Sequence, residues 1–204
     1  MQTRLKICGM RREEDIIMAN SLDIAYIGFI FAPSKRHIDL PQAQHLKKLL
    51  KPTIHAVGVF VDAPLETVIQ TVHSGAIDLV QLHGSESKEY ISALKEKVSA
   101  PVIKTIKMEK HQKDPASFPD ADFFLLDSGA GSGKTFDWNQ RVGLTKPVFI
   151  AGGIGIENIE EAIKRFHPYA IDVSSSVEVN GVKNIQKMRA LSEKLKTLNG
   201  ESNE

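Results

Sequence analysis

Eight short apolar runs recur along the chain, at residues 5–8, 24–31, 54–61, 77–82, 101–106, 123–127, 147–151 and 170–174. Between most of them lies a segment whose apolar residues repeat at helical spacing. Leu65, Val68, Ile69 and Val72 mark one such segment, and Tyr90, Ile91, Leu94 and Val98 another. Ile159, Ala162, Ile163 and Phe166 mark a third, and Ile185, Met188, Leu191 and Leu195 the last. Pro41 and Pro64 stand where first-turn prolines belong. The segments at 114–118 and 137–143 are shorter and predict a turn or two of helix. Strand and helix in alternation mean an α/β fold with parallel strands. Eight units within 204 residues favour a (β/α)8 TIM barrel, one domain over 1–204, at the small end of that fold's range. An open doubly wound sheet is the alternative, and it would ordinarily use fewer strands in this length. The polar stretch 199–204 is expected to be a disordered tail.

Composition excludes several classes of function. Lys and Arg number 26 against 25 Asp and Glu, which leaves no basic footprint for nucleic acid. No apolar stretch approaches the ~18 residues of a membrane span. The first residues lack the apolar core of a secretion signal, so none is expected. One cysteine cannot build a disulfide framework or a multi-cysteine metal site, and a lone thiol suits a reducing compartment. The expectation is a cytoplasmic protein.

That cysteine, Cys8, closes the first strand and is followed by Gly9. Asp127 closes the sixth in the same way. Catalytic groups collect at the C-terminal ends of parallel strands, so the two are candidates for chemistry. Residues i and i+2 of a strand share a face, which puts Lys6 below Cys8, Gln81 below His83 and Asp172 below Ser174. A barrel interior is mainly branched and apolar, and a buried lysine needs a partner. Lys6 is therefore expected to pair with Asp172 or bond Gln81. Arg36, in the loop after strand two, suits a planar two-point contact with a substrate carboxylate. His83 suits either a substrate hydroxyl or a neighbouring backbone group. With Asp172, these two residues complete the substrate-binding candidates.

Two glycine-rich stretches bear on phosphate. Residues 128–135, Ser-Gly-Ala-Gly-Ser-Gly-Lys-Thr, look like a P-loop but carry Ser128 where the motif needs its first glycine. A lid over a substrate is the better reading there. Gly152 and Gly153 follow strand seven, and Ser174 and Ser175 follow strand eight. Those are the loops where barrels commonly hold phosphate.

Taken in order, these motifs resemble a known family. They are Lys6-Ile7-Cys8-Gly9, Gly28-Phe29-Ile30-Phe31 with Ser34-Lys35-Arg36, Val57-Gly58-Val59-Phe60, Gln81-Leu82-His83-Gly84, Leu126-Asp127-Ser128 with the glycine-rich run to Trp138, Ala151-Gly152-Gly153-Ile154, and Asp172-Val173-Ser174-Ser175. The chain resembles the phosphoribosylanthranilate isomerases over residues 3–198. It departs from the family's usual Ser-Ser-Gly by carrying Ser176. The resemblance implies a (β/α)8 barrel and an Amadori rearrangement of a phosphosugar–anthranilate substrate in tryptophan biosynthesis. It implies Cys8 as general base, Asp127 as general acid, Arg36 on the anthranilate carboxylate, and Gly152, Gly153, Ser174 and Ser175 on the phosphate. Two groups of opposite protonation state suffice for that chemistry, so no metal or organic cofactor is expected. Another phosphosugar isomerase or epimerase on the same barrel is the alternative. The assembly is expected to be a monomer or homodimer.

Overall fold

The computed structural model of the chain describes residues 2–108, 115–128 and 146–201. The strands are β1 (Arg4–Cys8), β2 (Tyr26–Ile30), β3 (His55–Phe60), β4 (Leu79–Leu82), β5 (Val102–Lys107), β6 (Phe123–Asp127), β7 (Val148–Ala151) and β8 (Ala170–Val173). They pair in chain order, all parallel, and β1 closes the barrel on β8 through Lys6↔Asp172 and Ile7↔Val173. The helices α1 (Glu13–Asn20), α2 (Leu40–Leu49), α3 (Leu65–His73), α4 (Lys88–Lys97), α5 (Ile159–Phe166) and α6 (Ile185–Glu201) flank it. A short antiparallel pair, β9 (Glu178–Val179) and β10 (Val182–Lys183), follows β8. All eight sequence runs become strands of one closed (β/α)8 barrel.

Strand parity divides the core in two. Alternate residues of each strand face outward and pack under the helices, as Ile7, Ile27, Val80, Leu126 and Ile171 do. The others face inward, where Tyr26, Val57, Leu79, Ile103, Leu125, Phe149 and Ala170 form a separate cluster. This inner cluster plugs the barrel below the rim, so the interior is a packed floor on which the polar tips stand.

Local signals explain the helix starts. Asp39 accepts the Gln42 backbone N–H at 2.9 Å ahead of α2, with Pro41 in its first turn. Pro64 directly precedes α3, and Ser87 accepts the Tyr90 N–H at 3.2 Å ahead of α4. Among the described residues, the segment after β5 holds the 3-10 turn Pro115–Ser117, in keeping with the short helix expected there. The short segment expected at 137–143 lies outside the described residues.

Of the stretch expected to be a disordered tail, residues 199–201 form the end of α6. Asn199 accepts the Thr3 N–H at 2.9 Å and donates to the Thr3 carbonyl at 2.9 Å, tying the helix end to the strand that opens the barrel. A polar side chain that closes two backbone bonds anchors a terminus as an apolar one would. Residues 202–204 lie outside the described residues.

Candidate active site

Cys8, Asp127, Asp172 and His83 stand at or just beyond strand ends on the same rim, because all eight strands run the same way. Cys8 pairs with Gly28 across β1–β2. A Cβ at Gly28 would lie 2.5 Å from the Cys8 sulfur, so only glycine leaves the thiol its place. Asp127 pairs with Ala151 across β6–β7.

Beneath the rim runs a chain of polar contacts. Lys6, fully buried, donates to Asp172 Oδ2 at 2.6 Å and to Gln81 Oε1 at 2.9 Å. Both partners anticipated for Lys6 are therefore engaged at once. The Gln81 amide nitrogen is 3.1 Å from His83 Nδ1, and the Thr105 hydroxyl is 3.1 Å from the same atom. His83 Nε2 lies 3.2 Å from Asp127 Oδ2. His83 thus contacts the candidate acid, a partner that neither of its sequence readings named.

Burial opposes the Lys6 charge, yet Asp172 and then Cys8 outweigh it and hold its pKa above the ordinary lysine value. For Cys8 the balance goes the other way. Burial pushes the thiol up, Lys6 pulls it down, and Asp172 pushes it up again. The net shift is upward, although Lys183 and Arg36 also favour the thiolate. Desolvation and Asp172 together exceed the pull of Lys6 toward the thiolate.

Arg36 does not stand alone. Its Nε and one terminal nitrogen each donate to Glu178 at 2.7 Å, a two-point pair. Lys183 joins the same carboxylate at 2.8 Å and the Ser174 carbonyl at 3.0 Å. Burial opposes the Glu178 charge, but hydrogen bonds from Arg36 and Lys183 bring its pKa down to about 2. The Arg36 stem lies over Gly9, where an added Cβ would fall 2.4 Å from Arg36 Cδ. Sequence reading missed Glu178 and Lys183. The available signal was Asn180-Gly181, a two-residue hairpin turn that sets Glu178 directly opposite Lys183.

The loops after β7 and β8 adjoin. A Cβ added at Gly155 would lie 3.2 Å from the Ser176 Cβ. Gly152 and Gly153 have φ of +92° and +66°, a region that disfavours side chains. The Ser128 hydroxyl donates to the Gly152 carbonyl at 3.0 Å, and the Ser174 hydroxyl to the Cys8 carbonyl at 3.0 Å. Ser175 opens the 3-10 turn Ser175–Val177 and is exposed. The lid reading and most of the P-loop-like run fall on residues 129–145, outside the described residues. Among the described residues, no cluster of three His, Cys, Asp or Glu is arranged to hold a metal ion, and no helix is long and apolar enough to cross a membrane.

Comparison with known proteins places this rim in context. Residues 5–194 match the family model described as N-(5'phosphoribosyl)anthranilate (PRA) isomerase. An N-(5'-phosphoribosyl)anthranilate isomerase of Endomicrobium trichonymphae is 42% identical over 190 residues, 91% of this chain and 94% of that one. A structure of monomers generated from the dimeric phosphoribosylanthranilate isomerase of Thermotoga maritima superposes with a TM-score of 0.81 at 30% identity, covering 96% of this chain and all of that one. A phosphoribosylanthranilate isomerase solved with reduced 1-(o-carboxyphenylamino)-1-deoxyribulose 5-phosphate superposes with a TM-score of 0.79 at 28% identity, with coverage of 96% and 100%.

Proposed function

Since the chain belongs to the phosphoribosylanthranilate isomerase family, we propose that its strand-tip thiol and carboxylate divide the reaction between them, Cys8 as base and Asp127 as acid. The reaction is the Amadori rearrangement of N-(5'-phosphoribosyl)anthranilate to 1-(2-carboxyphenylamino)-1-deoxyribulose 5-phosphate, a step of tryptophan biosynthesis. Asp127 protonates the ribose ring oxygen and the bond from that oxygen to C1' breaks, leaving a Schiff base with the anthranilate nitrogen. The Cys8 thiolate then takes the C2' proton, and the electron pair moves to form an enolamine. The Cys8 thiol returns its proton to C1' and the 2'-hydroxyl proton passes to the Asp127 carboxylate, which gives the ketone and restores both groups. Each step needs a proton carrier and an oriented substrate.

The observation that carries this reading is the rim itself. A thiol and a carboxylate face inward from β1 and β6 on one rim, above a polar chain that ends on Asp127. Arg36 holds the anthranilate carboxylate with the end of its guanidinium, the side edge being occupied by Glu178. Asp172 and His83 line the sugar's path. The adjoining loops at Gly152, Gly153, Ser174 and Ser175 hold the phosphate, with backbone left-handed at both glycines and so able to present N–H groups closely. The relative from Thermotoga is described as dimeric, which supports the homodimer among the two assemblies the sequence leaves open. The test is direct. Purified protein receives phosphoribosylanthranilate generated in situ, and loss of the fluorescent substrate is followed with and without a chelator. Loss at equal rates is expected; loss that stops with the chelator favours a metal-dependent phosphosugar isomerase.

A further inference from the structure

We propose that Lys6 and Gln81 are positioning residues that lock His83 in the Nε2–H tautomer, so that His83 presents an N–H and not a lone pair to Asp127. The proposal rests on the assignment of Asp127 as the acid. Its logic is an inventory of donors. A lysine ammonium only donates, so the Gln81 atom 2.9 Å from Lys6 Nζ is the amide oxygen. The amide nitrogen therefore faces His83 Nδ1, at 3.1 Å. An amide NH2 also only donates, so Nδ1 carries the lone pair. The Thr105 hydroxyl, 3.1 Å away, donates to the same nitrogen. A neutral imidazole with a bare Nδ1 holds its proton on Nε2. That nitrogen is 3.2 Å from Asp127 Oδ2, so the acid faces an N–H rather than a lone pair.

The consequence falls on the acid. An N–H facing the carboxyl favours the carboxylate that remains once the proton has left, whereas a lone pair there would oppose it. Asp172 fixes Lys6 at 2.6 Å, so the order of donors on β6 is set from β8 through β1 and β4.

Nitrogen-15 NMR of histidine-labelled protein tests this, with the His83 signals assigned by their loss in His83→Asn. The expected spectrum shows a protonated Nε2 and a bare Nδ1; the reverse overturns the proposal. Gln81→Glu keeps the size and turns an acceptor toward Nδ1. It should move the proton onto Nδ1 and lower kcat by roughly 10²-fold, with KM within about twofold. A moved proton with unchanged kcat would overturn the positioning role. Full turnover by Asp127→Asn would overturn the acid assignment while leaving the wild-type spectrum as it is, so the two failures are separable.

Discussion

Cys8 sits between opposed influences, burial against its thiolate and Lys6 for it, and burial prevails. On the proposed assignment, the active ionic form, thiolate with the acid protonated, carries the same net charge as thiol with carboxylate. Their ratio is therefore independent of pH between the two ionisations, and kcat/KM should show a bell-shaped profile. Its alkaline limb reports the thiol and is expected above the ordinary thiol value of about 8.5. Iodoacetamide alkylation against pH should give a matching midpoint; a midpoint at or below that value contradicts the account. Arg36 offers a second check. In Glu178→Gln the guanidinium loses its charged anchor, and KM should rise by about 10-fold while kcat falls less, because the carboxylate that Arg36 is proposed to hold is present in ground and transition states alike. Glu178 has a depressed pKa, so its stabilising contribution is full above the unfolded value of about 4.3. It is lost as pH falls toward about 2, where wild type and Glu178→Gln should become equally stable. A stability gap that persists at pH 2 would count against the ion pair. Lys6 and its need for a partner were legible from strand parity. The partner of His83 was not, since it depends on the stagger of β4, β5 and β6 around the barrel.

Among the elements, the loops that end β3 and β4 are tied by one buried carboxylate. Glu86 accepts from Lys104 at 2.6 Å, from the Asp62 N–H at 2.9 Å and from the Gly84 N–H at 3.0 Å. Lys104 faces outward from β5 and also donates to the Gly84 carbonyl at 2.8 Å. Removing one partner of a buried pair leaves the other charge and its companion N–H groups desolvated. Glu86→Ala is expected to lose ~3–5 kcal/mol in denaturant unfolding. A loss below ~1 kcal/mol would mean that water replaces the carboxylate at little cost. This pair was hidden in the sequence. Lys104 sits within an apolar strand, and nothing in its neighbours names a residue two elements away.

At the scale of the whole molecule, the barrel was legible because eight runs with helices between them leave few parallel closures. The end of α6 was not legible, because the bonds that hold it run from Asn199 to Thr3, at the other end of the chain. Asn199→Ala removes two backbone bonds and should cost ~1–3 kcal/mol, whereas a frayed tail would tolerate it without change. Closure also brings Cys8 and Asp127, far apart in sequence, onto one rim, and the division of labour between them is the account's central claim. The most direct measurement is turnover by Cys8→Ala and Asp127→Asn, with affinity for reduced 1-(o-carboxyphenylamino)-1-deoxyribulose 5-phosphate taken on the same preparations. Both variants are expected to fold, to bind the analogue within a few-fold of wild type, and to lose turnover by at least roughly 10²-fold. A folded Cys8→Ala or Asp127→Asn protein that turns over near the wild-type rate would contradict it.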